Sequence, residues 1–188
     1  MSATNRGGKR RASDFYETPE NVARFFIEFM LTEDYKTILE PCSGSGNIVR
    51  ALREFYPKAT IIASDILDVD QIKQANVTYP NTDFLVEPAL DTPIDLIITN
   101  PPYSIAEKII RRCFDLYPTA TVVMLLRLDF LGSQERHDFW SKHPVNQIYP
   151  LSCRPSFTGD GGTDSNNYGW FVWEPGNTKQ NIEVIWGR

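Results

Sequence analysis

A chain of 188 residues is long enough for one domain with a single buried core and too short for a second domain with an interior of its own. Its composition, 41% hydrophobic and 12% aromatic with no long apolar run and no signal-peptide pattern, is that of a globular enzyme, expected to be intracellular and cytoplasmic with no membrane association. The net charge of −5 excludes a surface that is basic all round, so a nucleic-acid partner would have to be met by a local basic patch.

In chain order, residues 1–12 are polar and basic through Arg6, Lys9, Arg10 and Arg11. They read as a flexible arm, either a solubilising tail or a phosphate-contacting segment. Residues 13–188 read as one catalytic domain. Thr18 is placed to cap a helix with Pro19 at its first position, and Val22, Phe25, Phe26, Phe29 and Met30 then form one apolar stripe, predicting a helix over 19–31. Short apolar runs follow, predicting strands at 37–40, 60–64, 82–85, 96–99 and 121–126, separated by helical patterns at 47–56, 104–116 and 133–141. This alternation is the βαβ rhythm of a parallel sheet covered on both faces. The last two strand-like runs, 145–151 and 168–174, have no helix between them and are expected to pair antiparallel at one sheet edge.

Open α/β sheets bind ligands beyond the carboxyl ends of their strands, so the residues just after each strand are the candidates for chemistry. The first strand runs into Glu40-Pro41-Cys42-Ser43-Gly44-Ser45-Gly46-Asn47, where two glycines permit a sharp turn and close ligand approach. A plain strand-to-helix turn uses the same glycines, but Glu40 adds an acidic acceptor for a ligand ammonium. The second strand ends at Asp65, about 20 residues after the loop, where dinucleotide folds place the carboxylate that holds ribose hydroxyls. A turn or cap aspartate is the alternative there. The loop has neither GxGxxG spacing nor a Walker lysine, which disfavours NAD, FAD and phosphate transfer.

The fourth strand ends in Asn100-Pro101-Pro102-Tyr103. The prolines fix the backbone and bring no amide hydrogens, so nearby carbonyls are held as acceptors. An amino group on an aromatic base is a poor nucleophile because its lone pair is delocalised. The Asn100 oxygen and the Pro101 carbonyl can each accept one of its N–H groups and favour the tetrahedral nitrogen of a transition state, while Tyr103 stacks on the ring. A Pro-Pro turn is the bland alternative.

These segments carry a family resemblance. Asn100-Pro101-Pro102-Tyr103 resembles motif IV of the amino-group methyltransferases, and Leu39 to Gly46 is similar to their motif I, which contacts the methionine part of S-adenosylmethionine. Asp14-Phe15-Tyr16-Glu17-Thr18-Pro19 resembles motif X, the segment that closes over the cofactor; Asp65 with Ile66 resembles motif II, and Asp83-Phe84 motif III. Arg154-Pro155-Ser156-Phe157-Thr158-Gly159 and Tyr168-Gly169-Trp170-Phe171-Val172-Trp173 are similar to the end of small phage-type DNA N6-adenine methyltransferases.

The resemblance implies a Rossmann-like sheet of seven strands, mostly parallel with an antiparallel C-terminal hairpin, and helices on both faces. It implies S-adenosylmethionine as cofactor, held by Tyr16, Thr18, Pro19, the loop residues Glu40, Pro41, Cys42, Ser43, Gly44 and Gly46, then Asp65, Ile66, Asp83, Phe84 and Asn100. Asn100, Pro101, Pro102 and Tyr103 would be catalytic, with Tyr103 and Phe157 walling a flipped adenine, and DNA would be the partner. No insertion large enough for a separate target-recognition domain follows the fourth strand, so specificity would be short, relaxed, or supplied by the arm and by residues 152–167. The same amino-group chemistry also serves RNA adenine or a protein glutamine amide, and a non-catalytic nucleotide-binding protein could keep the fold. Arg50, Arg53, Lys108, Arg111, Arg112 and Arg136 could form basic patches or simply be solvated. His137 and His143 are isolated, and Cys42, Cys113 and Cys153 are expected as free thiols with no metal.

Overall fold

The computed structural model describes residues 17–68, 72–157 and 165–183. Its centre is one sheet in the order β3-β2-β1-β4-β5-β7-β6-β8. Strands β1 (Thr37–Glu40), β2 (Thr60–Ser64), β3 (Val77–Tyr79), β4 (Leu96–Thr99) and β5 (Thr121–Arg127) are parallel to one another. Strand β7 (Tyr168–Trp173) enters antiparallel between β5 and β6 (Gln147–Pro150). These seven are the mostly parallel sheet with an antiparallel end that the sequence implies. The two residues of β8 (Asn181–Ile182) add beyond them, parallel to β6, so the outer edge belongs to β8 and not to the hairpin.

Helices cover both faces because strand residues alternate between them. On β5, Val123 and Leu125 face one core with β7 residues Tyr168 and Trp170; helices α1 (Glu20–Met30) and α2 (Asn47–Phe55) close it through Phe26, Ile27, Val49 and Leu52. Val122, Met124 and Leu126 face the other core, closed by α3 (Ala106–Leu116) and α4 (His137–Lys142) through Ile109, Ile110, Cys113 and Phe139. In β7 a side chain at Gly169 would meet the Tyr149 carbonyl oxygen at 3.0 Å and the Pro150 Cα at 3.1 Å, so only glycine lets β6 lie this close.

Three local expectations are corrected. Residues 82–85 form no strand: the Asp83 side chain accepts the Leu85 N–H at 3.0 Å and its carbonyl accepts the Val86 and Glu87 amides, which folds the segment into a turn. The third strand comes earlier, at Val77–Tyr79, and is too short and exposed to give an apolar run. Pro19 has extended ψ (133°) and stands at the helix N-cap, so α1 begins at Glu20 and Thr18 makes no side-chain cap. The starts of the 104–116 and 133–141 helices are tighter 3₁₀ turns, Tyr103–Ile105 and Gln134–Arg136.

Candidate functional site

Strand order reverses between β1 and β4: the chain leaves β1 toward β2 on one side and reaches β4 on the other. Loops diverge at such a point and leave a crevice at the carboxyl ends of the two strands. A cleft opens there. It is lined by Thr18, Glu40, Pro41, Cys42, Ser43 and Gly44, by Asp65, Ile66, Asp83 and Phe84, and by Asn100, Pro101 and Pro102. Pro19, Gly46, Tyr103 and Phe157 are not in the lining, and Tyr16 and residues 1–12 lie outside the described residues.

The loop after β1 is held by short bonds to the end of β2. The Ser43 amide and hydroxyl both donate to the Ser64 carbonyl at 3.0 Å, and the Gly44 amide donates to Asp65 Oδ2 at 2.8 Å. Gly46 caps α2 with φ at +82°, a left-handed conformation in which an added side chain would also press on Ile72 at 3.0 Å. Gly46 therefore shapes the loop from behind. Asp65 Oδ1 accepts the Leu67 amide at 2.8 Å, so this carboxylate fixes both the loop and the Ile66-Leu67 lip before any ligand arrives. Asn81, with φ at +55°, turns the chain back so that the Thr82 amide reaches the Asp65 carbonyl at 2.8 Å. Ile66 and Leu67 in the lining are exposed, and Phe84 in the same lining is buried.

Glu40 carries the strongest electrostatic signal. Its side chain is 1% exposed, and neither carboxylate oxygen has a hydrogen-bond partner. Burial pushes its carboxyl well above the usual range and the Asp65 charge pushes the same way; Thr99 sits close enough to oppose them, without reaching hydrogen-bond geometry. Burial, with Asp65 and Glu40 nearby, also raises the Cys42 thiol, which is therefore held neutral and is no nucleophile. A cation entering the cleft would meet an acceptor otherwise left unsatisfied.

Across the cleft Asn100 is half-buried at the end of β4, with Pro101 buried behind it. The Ile105 amide donates to the Pro102 carbonyl at 3.1 Å, beginning the turn that carries Tyr103. Tyr103 lies 5.6 Å from Tyr168, ring centre to ring centre, and Phe157 meets the same Tyr168 edge-on at 4.8 Å. Phe157 is only 5% exposed and belongs to the core under α1 and α2, so in this arrangement it backs Tyr168 rather than facing an open pocket.

Sequence reasoning missed Asn47, Leu67 and Thr99. Asn47 lines the cleft and donates its side-chain amide to the Thr18 carbonyl at 2.7 Å, tying the incoming chain to the loop. The available signal was a polar residue directly after Gly46. Of the arginines, Arg53 is committed to the Gln74, Pro57 and Ala59 carbonyls, Arg50 to Ser45 and Arg112 to Glu87. Arg111 pairs with Glu107, and Arg136 lies over the Phe130 ring.

No model of a known protein family matches the chain. An uncharacterized protein of Mycoplasma pneumoniae, the MG259 homolog, is 33% identical over 86 residues, covering 41% of this chain and 19% of that protein. Among solved structures, the type I restriction-modification methyltransferase subunit of Streptococcus thermophilus matches with a TM-score of 0.69 at 15% identity, over 91% of this chain and 47% of its own. A Listeria monocytogenes protein provisionally described as a class I S-adenosylmethionine-dependent methyltransferase matches at 0.65 and 14% identity, over 93% of this chain and 66% of its own. A Pyrococcus horikoshii protein provisionally described as an RNA methyltransferase matches at 0.63 and 12%, over 92% and 89%. The chain thus spans about a fifth of the curated relative and about half of the restriction-modification subunit. At these identities the likeness is one of fold, that of the class I methyltransferases.

Proposed function

We propose that this chain transfers a methyl group from S-adenosylmethionine to the N6 amino group of adenine in DNA. One observation carries the reading: a single cleft holds a buried, partnerless carboxylate at Glu40 on one wall and Asn100-Pro101-Pro102 on the other. A cofactor with an ammonium, a ribose and an adenine fits the first wall. Glu40 would accept from the ammonium, and Asp65, whose oxygens keep further lone pairs beyond the Gly44 and Leu67 amides, would accept from ribose hydroxyls. Ile66, Leu67 and Phe84 offer apolar surface to the adenine, and Asp83 lines the same cleft. The cofactor supplies an electrophilic methyl group on a sulfonium.

The chain's own part is to prepare the acceptor. Asn100 Oδ1 and the Pro101 carbonyl accept the two N–H groups of the target amine and localise its lone pair, most strongly as the nitrogen becomes tetrahedral. Tyr103, braced by Tyr168, stacks on the base. The buried Pro101 keeps competing donors away from the acceptors. The type I restriction-modification methyltransferase subunit among the structural matches supports DNA as substrate, and the Pyrococcus protein makes RNA adenine the second reading. Incubation with radiolabelled S-adenosylmethionine and separate DNA, RNA and protein pools tests the proposal. Label recovered as N6-methyladenine in DNA is expected; label in RNA or protein alone would overturn the substrate, and none in any pool would overturn the activity.

A further inference from the structure

Arg127 closes β5 at the rim on which Asn100 to Tyr103 are presented, since β4 and β5 run in parallel with Thr99 opposite Met124. Across the antiparallel ladder its partner is Tyr168, the residue whose ring lies 5.6 Å from Tyr103. Strand alternation puts Arg127 on the face of Val123 and Leu125, and Tyr168 packs into that same core. Arg127 thereby lies across the ladder from the residue that braces the ring assigned to the target base.

Its present partners do not account for it. Among the arginines above, Arg50, Arg53 and Arg112 bind backbone carbonyls of their own fold, whereas one terminal nitrogen of Arg127 reaches only two side chains. These are Asn166 Oδ1 at 2.6 Å and Asp129 Oδ2 at 3.1 Å, the latter on a side chain 66% exposed. An ion pair so open to water adds little stability. The Arg127 Nε, like that of Arg112, is buried and has no hydrogen-bond partner, a cost that an apolar residue in the same place would avoid. A guanidinium whose terminal nitrogen is held only by side-chain oxygens can exchange the exposed carboxylate for a phosphate oxygen. Nearby Arg154 donates to Asn167 Oδ1 at 3.4 Å and adds positive charge to a chain that is otherwise acidic.

We propose that Arg127 binds a backbone phosphate of the substrate strand next to the base held at Tyr103, giving up Asp129 for the phosphate. This rests on the nucleic-acid reading above. A base rotated out of a stack brings its flanking phosphates to the rim of its pocket, and Arg127 ends β5 at the edge of the sheet that carries Asn100 to Tyr103.

The test is binding of fluorescently labelled DNA and RNA oligonucleotides of one sequence across a salt series, with folding of each variant checked by thermal unfolding. Arg127→Gln should weaken binding and reduce the slope of log K against log salt by about 0.7 to 0.9, the loss of one phosphate contact. Arg127→Lys should keep the slope and lose affinity, because a point charge replaces the fork. Asp129→Asn, which removes the competing carboxylate, should tighten binding; a purely structural Arg127–Asp129 pair would not do this. An unchanged slope and affinity in folded Arg127→Gln, or no tightening in Asp129→Asn, would overturn the assignment. If Arg127→Gln does not fold, Asp129→Asn decides alone. Failure of the wild type to bind either nucleic acid would overturn the substrate reading itself, and the DNA and RNA arms identify which strand supplies the phosphate.

Discussion

Glu40 is destabilising while it has no partner, and that gives it a pH signature. Because the folded protein raises its carboxyl above the ordinary value of 4.5, the folded state holds the proton more tightly than the unfolded chain does. The stability it contributes is full below that value and is lost as pH rises toward the folded pKa. Glu40→Gln should therefore make the ligand-free protein more stable than wild type near neutrality, with the difference vanishing in acid, while weakening cofactor binding. Thermal unfolding of both proteins between about pH 4 and pH 8 checks this, and a variant less stable at neutral pH would contradict it. Asp65→Ala should act in the opposite sense on stability, because Gly44 and Leu67 lose their shared acceptor. It should also weaken binding of S-adenosylmethionine or its demethylated product by roughly 1.5 to 3 kcal/mol, the loss of one charged hydrogen bond, read by calorimetry. Asn100→Ala should fold and bind cofactor, yet slow single-turnover methylation by about 100- to 1,000-fold, by analogy with removal of one oxyanion-hole donor. A near-normal rate would refute the assigned role.

Among the elements, β7 is the most exacting. Gly169→Ala would drive a methyl group into the β6 backbone at Tyr149 and Pro150, neither of which can rotate away. It should destabilise the protein by about 1 to 3 kcal/mol, measured by denaturant unfolding. The same packing logic explains which elements the sequence discloses. Strands β1, β2 and β4 are buried on both faces, so they stand out as unbroken apolar runs with the same bounds in sequence and structure. Strand β3 has only three residues on the edge, and its outward Val77 and Tyr79 carry no pattern, whereas Phe84 drew attention to a segment that Asp83 bends into a turn. The loops after β1 and β4 were legible because their chemistry is written in side chains. Thr99 was not, because it matters through proximity to Glu40, and the bond from the Leu67 amide to Asp65 likewise leaves no mark on residue type. Phe157 shows the converse, an aromatic at a motif position whose ring is spent on the core.

Across the whole molecule, the cleft joins the loop after β1, the lip after β2 and the end of β4, so a ligand filling it ties together segments from both sides of the strand reversal. S-adenosylmethionine at 100 times its dissociation constant should raise unfolding stability by about 2.7 kcal/mol, and an absent thermal shift would remove the cofactor from the proposal. The placement of the thiols then provides a ruler for how far the molecule opens. Electrophiles capture thiolates, and burial suppresses the thiolate at Cys42, on the cleft, and at Cys113, inside α3. Half-buried Cys42 should alkylate as the cleft breathes, and buried Cys113 only when α3 leaves the sheet. Timed labelling with iodoacetamide, read by mass spectrometry, would then resolve breathing of the ligand site from global unfolding, each thiol reporting a different depth of opening.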